Sequence, residues 1–137
     1  MKNKIAMAGL SIIMVLLIIG IARRYLGTKP LKNLMVTDVK SITVTLRPPE
    51  ITIELNSEEK DKAIELLNEI IVYQKRYISD ATTGQVIAFV ITKADGTRIN
   101  VDFSGNTVLS LNNISYRLKY EESEKLSAFA NSLREQK

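Results

Sequence analysis

Hydrophobic residues follow three different spacings along this chain, and each spacing predicts a different kind of element. From Ile5 to Ala22 eighteen residues pass without a charge, and only Gly9, Ser11 and Gly20 interrupt the large apolar and alanine positions. At the helical rise this is about 27 Å, close to the hydrocarbon thickness of a bilayer. A soluble core helix keeps a polar face, and this stretch has none, so the pattern predicts a transmembrane helix.

Strict alternation takes over further on. In "SITVTL" (41–46) Ile42, Val44 and Leu46 share one face. In "EITIEL" (50–55) Ile51, Ile53 and Leu55 do the same, with "RPPE" as the break between two hairpin strands. "VIAFVIT" (86–92) is apolar on both faces, which suits a central strand. "RINVDF" (98–103), "TVLSL" (107–111) and "ISYRL" (114–118) complete six strands, joined at "KADGT", "SGN" and "NN".

Helical spacing appears twice in the soluble part. Asn56 and Glu59 read as a capping box, and Ala63, Leu66, Leu67, Ile70, Ile71 and Gln74 follow, with Lys75 and Arg76 expected to close the helix. "EESEKLSAFANSLRE" (121–135) places Leu126, Phe129, Ala130 and Leu133 on one stripe. The expected fold class is α+β: one N-terminal transmembrane helix, then a ββαββββα domain whose antiparallel sheet carries two helices on one face. The expected boundaries are a signal anchor over 1–24, a juxtamembrane linker over 25–34 and an extracytoplasmic domain over 35–137.

The apolar stretch exceeds the 7–15-residue core of a secretory leader, and "GIA" before Arg23 and Arg24 is a poor cleavage site. Retention as an uncleaved anchor is therefore expected. A pilin-type leader ending at Gly9 would place a Glu where this chain has Met14, and a lipoprotein would need a cysteine, which the chain lacks. Lys2 and Lys4 on one flank nearly balance Arg23, Arg24, Lys29 and Lys32 on the other, so basic residues do not set the orientation. The short N-terminal tail favours tail inside and domain outside.

The formal net charge is +4. Setting aside Lys2, Lys4, Arg23 and Arg24 leaves 15 basic against 15 acidic residues, so the excess lies beside the apolar helix, where it can meet lipid headgroups. The remainder of the chain is neutral and offers nucleic acid no electrostatic footprint. Without histidine or cysteine, zinc and copper have no conventional ligands.

Other candidate sites have simpler explanations. Glu58, Asp61, Glu65 and Glu69 read as the solvated face of an amphipathic helix. Asp95, Asp102 and Asn106 in "DGTRINVDFSGN" depart from the calcium-loop spacing and read as turn chemistry. Tyr73, Tyr77, Tyr116 and Tyr120 read as core-closing tyrosines rather than a ligand platform. There is no nucleophile–base pair and no phosphate-cradling glycine loop. No catalytic, cofactor-binding or metal-ligating residue is assigned, and no cofactor is expected.

"VKSITVTL…ITIELNSEEKDKAIELLNEI", then "IAFVITKADGTRINVDF…VLSLNNISYRL", then an acidic helix, resembles small extracytoplasmic domains of Gram-positive bacteria over about residues 35–134. Those domains occur as lipoproteins or single-span proteins, largely of unknown function. The resemblance implies a location and a fold and transfers no site residue. The expected function is a single-pass, non-enzymatic binding or interaction domain at the cell membrane. Its expected partners are the lipid bilayer and an envelope or membrane protein. The alternative is a regulatory or immunity subunit acting through its transmembrane helix, where Gly9, Ser11 and Gly20 would admit a second helix. A pilin-like role ranks below both.

Overall fold

The computed structural model describes residues 1–75 and 84–136 of the 137. Helix α1 spans Lys2–Leu26. It is long and apolar enough to cross a membrane over Asn3–Leu26, and none of its apolar stretch is buried by the other described residues. Ser11 Oγ donates to the Met7 carbonyl oxygen at 3.0 Å, so the one hydroxyl in the apolar stretch is satisfied within the helix. That is the arrangement a lipid environment demands.

After a 3₁₀ turn at Val36–Asp38 come β1 (Val39–Arg47), β2 (Ile51–Glu54) and α2 (Ser57–Glu69). Strands β3 (Val72–Lys75), β4 (Val86–Lys93), β5 (Arg98–Ser104), β6 (Val108–Leu111) and β7 (Ile114–Leu118) follow, and α3 (Tyr120–Glu135) ends the domain. The described residues form one open seven-stranded sheet in the order β2-β1-β4-β5-β6-β7-β3, with every strand pair antiparallel.

The fold is α+β, with two helices after α1, as the sequence implies. One element differs. The helix expected to run on to Lys75 and Arg76 stops at Glu69, and Val72–Lys75 is a seventh strand, so the domain order is ββαβββββα. Ile70, Ile71, Val72 and Tyr73 form a β-branched and aromatic run whose χ1 freedom a helix restricts and a sheet accommodates. Ile70 adopts φ −58°, ψ 126° and ends the helix while keeping its side chain fully buried. Apolar residues at 70 and 71 satisfy helical spacing and a helix-to-strand corner equally well, which is why periodicity ran past the boundary. Arg76, Tyr77 and residues 79–83 of the expected turn cluster lie outside the described residues.

Register explains the burial. Val44 faces Phe89 and Phe89 faces Val101, while Ile87 faces Phe103 and Phe103 faces Leu109. Because side chains alternate along a strand, these residues share one sheet face. They form a single core cluster with Ala63, Ile64 and Leu67 of α2 and Leu126, Ala130 and Leu133 of α3. Phe89 and Phe103 meet edge to face at 5.9 Å. Phe129 is only half-buried against this cluster. The outer face carries Thr43, Thr45, Thr52, Asn100, Asp102, Ser110 and Arg117.

Local chemistry fixes the ends and turns. Asn56 Oδ1 accepts from the Glu59 N–H at 2.9 Å, and Glu59 Oε2 accepts from the Asn56 N–H at 2.8 Å, a complete capping box. Asn112 and Asn113 both have positive φ (47° and 68°) in the β6–β7 turn, as a two-residue hairpin connection requires.

Candidate functional site

The most individual feature of the molecule is the joint between α1 and the sheet. The Gly27 N–H closes the end of α1 on the Arg23 carbonyl oxygen at 3.2 Å, and Gly27 has φ +72°. A Cβ at Gly27 would lie 2.6 Å from Ile71 Cγ2 and 2.8 Å from the Val72 carbonyl oxygen, so only glycine admits the chain here. Thr28 then pairs with Val72 in both directions, each N–H donating to the other's carbonyl oxygen at 2.8 Å. The first residues after α1 thus cover part of β3, one of the two edge strands of the sheet.

The segment expected as a linker joins the domain's core in its second half. Leu31 and Leu34 are buried. Asn68 Nδ2 donates to the Leu34 carbonyl oxygen at 3.1 Å, and Lys29 Nζ donates to Glu69 Oε2 at 2.6 Å. The Lys29 hydrogen bond, reinforced by its charge, holds the Glu69 carboxyl below the usual carboxylate range. An amide, an ion pair, two leucines and a backbone bridge therefore bind residues 28–34 to α2 and β3.

Beside this joint lies an open cleft of about 660 Å³ lined by Arg24, Tyr25, Tyr73 and Arg117. A smaller cleft of about 300 Å³, lined by Arg23, Arg24, Thr28, Val72 and Tyr73, shares Arg24 and Tyr73 with it. The sheet register accounts for the larger one. Val72 faces Leu118 on the core side, so Tyr73 and Arg117, one residue away on each strand, both fall on the outer face. The Arg117 guanidinium sits over the Tyr73 ring, 5.7 Å from its centroid. α1 adds Arg24 and Tyr25 to the same lining. Nearby Lys119 is held above its ordinary pKa, chiefly by the charge of Glu122, with Glu121 adding to it.

The residues weighed from sequence fall elsewhere. Glu58, Asp61, Glu65 and Glu69 are exposed along α2, with Lys62 paired to Glu65 at 2.9 Å. Asp95, Asp102 and Asn106 do three separate jobs. Asp95 Oδ1 accepts from the Thr97 N–H at 2.9 Å and closes the β4–β5 turn, and that bond keeps its pKa low. Asp102 is mid-strand on the outer face, where partial burial raises its pKa. Asn106 Oδ1 accepts from Ser127 Oγ at 2.7 Å and ties the β5–β6 turn to α3. Among the described residues no three acidic groups are gathered to hold a metal.

Of the four tyrosines weighed as a ligand platform, Tyr116 packs against the core, Tyr120 is exposed, Tyr73 lines the cleft, and Tyr77 lies outside the described residues. Sequence reasoning set Arg23 and Arg24 beside the bilayer but had no means of joining them to Tyr73 and Arg117, which depend on the unexpected β3. Comparison with protein-family models, with curated proteins and with solved structures gave no match.

Proposed function

We propose that this chain is a single-pass membrane protein whose α1 is a retained anchor. Its α+β domain lies on the outer side of the cell membrane and binds an envelope or membrane protein without catalysing a reaction. The observation that carries the reading is the joint. An all-round apolar helix whose apolar stretch is not buried by any other described residue runs, through one glycine, straight into a strand-like pairing with the sheet. The tie seats the last turn of α1 against the edge of the sheet, which suits a helix that stays with its domain. The resemblance to small Gram-positive extracytoplasmic domains supports the location, and the absence of a catalytic constellation in the sequence supports a binding role.

The test is fractionation followed by protease treatment. The chain should remain in the membrane pellet through alkaline carbonate washing and should keep residues that precede Arg23. Protease added to intact protoplasts should then digest the domain. A mature chain beginning at Arg23 would refute retention, and a domain cut only after lysis would reverse the orientation. Replacing α1 with an unrelated anchor should preserve function if the domain carries it, whereas loss of function would favour the helix-borne regulatory role.

A further inference from the structure

We propose that the cleft between the end of α1 and the outer face of β3 and β7 holds the phosphate group of an anionic phospholipid, clasped between Arg24 and Arg117. The inference rests on the anchor reading and names a ligand for the joint.

The lining supplies the chemistry. A guanidinium offers a rigid fork of N–H donors that matches phosphate oxygens, and the two that line this cleft can share one phosphate. Among the described residues neither Arg24 nor Arg117 has a carboxylate within salt-bridge distance, whereas Lys29, Lys62 and Lys119 all do. The lining contains no acid among the described residues. The Arg117 guanidinium carbon lies 5.7 Å from the Tyr73 ring centroid, a cation–π contact that helps to keep the cation at the cleft. An aromatic side chain thus helps to place a cation that no carboxylate among the described residues pairs with.

Position selects the source of the phosphate. Arg24 and Tyr25 belong to the last turn of the helix that is long enough to span a bilayer, so the cleft lies where that helix would leave the hydrocarbon. Headgroup phosphates are concentrated at that depth, and arginine and tyrosine are the side chains that suit it. The cleft is open to its surroundings, as a headgroup still attached to its bilayer requires.

The full chain in detergent micelles can be titrated with phosphatidylglycerol or phosphatidylcholine and the bound lipid counted by native mass spectrometry. Wild type should retain phosphatidylglycerol in preference to phosphatidylcholine. Arg117→Gln should reduce that preference roughly tenfold, the loss expected for one charge-assisted phosphate contact. Arg24→Gln, which leaves the domain untouched, should reduce it similarly, and Arg98→Gln, elsewhere on the outer face, should leave it intact.

Equal preference in wild type and in both the Arg117 and Arg24 variants would overturn the proposal, because the basic helix end would then act without the cleft. Displacement of the lipid by millimolar inorganic phosphate would overturn it in favour of a free-phosphate site. A chain that resists carbonate washing but shows no lipid preference fails this inference alone. A chain released by carbonate fails the anchor reading first.

Discussion

Helix α1 and the pair α2 and α3 are built from the same apolar residue types and meet opposite fates. Leu17 of α1 is 58% exposed, while Leu67 of α2 is fully buried. The difference lies in distribution. α2 confines Ala63, Ile64 and Leu67 to one side and places Glu58, Asp61, Lys62 and Glu65 on the other, so one sheet can satisfy it. α1 is apolar round its whole circumference, and no single sheet face could cover it. A protein core is a one-sided solvent for a helix, and only a medium that surrounds the helix serves an all-round one. That contrast is the physical case for a bilayer, and substitutions can break it from either side.

The largest effect should come from the core side. Phe89 is fully buried on central strand β4 and meets Phe103 edge to face. Phe89→Ala should destabilise the domain by about 3–5 kcal/mol, the usual cost of emptying a buried aromatic site. Chemical denaturation of the full chain in micelles, followed by tyrosine fluorescence, would measure it. The half-buried Phe129 should cost less on truncation, and a Phe129→Ala loss equal to that of Phe89→Ala would mean that α3 sits deeper than described.

The reciprocal change is Leu16→Arg in the middle of α1. It should raise the free energy of membrane insertion by about 2.5–3.5 kcal/mol while leaving the domain's denaturation midpoint where it was. An integration assay reads the first quantity and denaturation the second. If Leu16→Arg unfolded the domain, α1 would be a core helix and the contrast would collapse.

The joint between the two regions should respond less. Gly27→Val forces a β-branched residue into φ +72° and drives its Cβ against Ile71 and the Val72 carbonyl. A loss of about 1–3 kcal/mol is expected, together with faster hydrogen exchange at the Thr28 and Val72 amides as their bridge opens. Unchanged exchange at both amides would show that the bridge does not depend on the glycine.

Legibility in the sequence tracked how local each constraint is. The alternating runs place β1, β2, β5, β6 and β7 to within about two residues, because one-sided burial writes a period of two directly into the chain, and the continuous apolar run 86–92 places β4 equally well. The Asn56–Glu59 capping box was equally readable, since both partners lie within one turn. Strand β3 was not, because Val72 is a strand residue through its partners Thr28 and Leu118, 44 and 46 positions away. Tertiary pairing overrode a local helical pattern there. The cleft inherited that blindness: Arg24, Tyr73 and Arg117 come from three distant segments, and without β3 nothing brings them together.

The smallest expected effect concerns the ion pair that clips the joint shut. Lys29 lowers the Glu69 pKa, so the folded state holds that proton less tightly than the unfolded chain does. The contribution is therefore complete above the unfolded carboxylate value and is lost as pH falls through the lower folded value. Both side chains are well exposed, at 38% and 61%, so solvent screens the pair and its share of stability is small. Lys29→Met should lower the melting temperature slightly at pH 7. Below the folded Glu69 value the difference from wild type should vanish, and at pH 7 in molar salt it should shrink. The Gly27→Val effect, being steric, should persist under both conditions. A Lys29→Met difference that survived acid and salt alike would mean that the lysine stem, rather than its charge, holds residues 28–34 against α2.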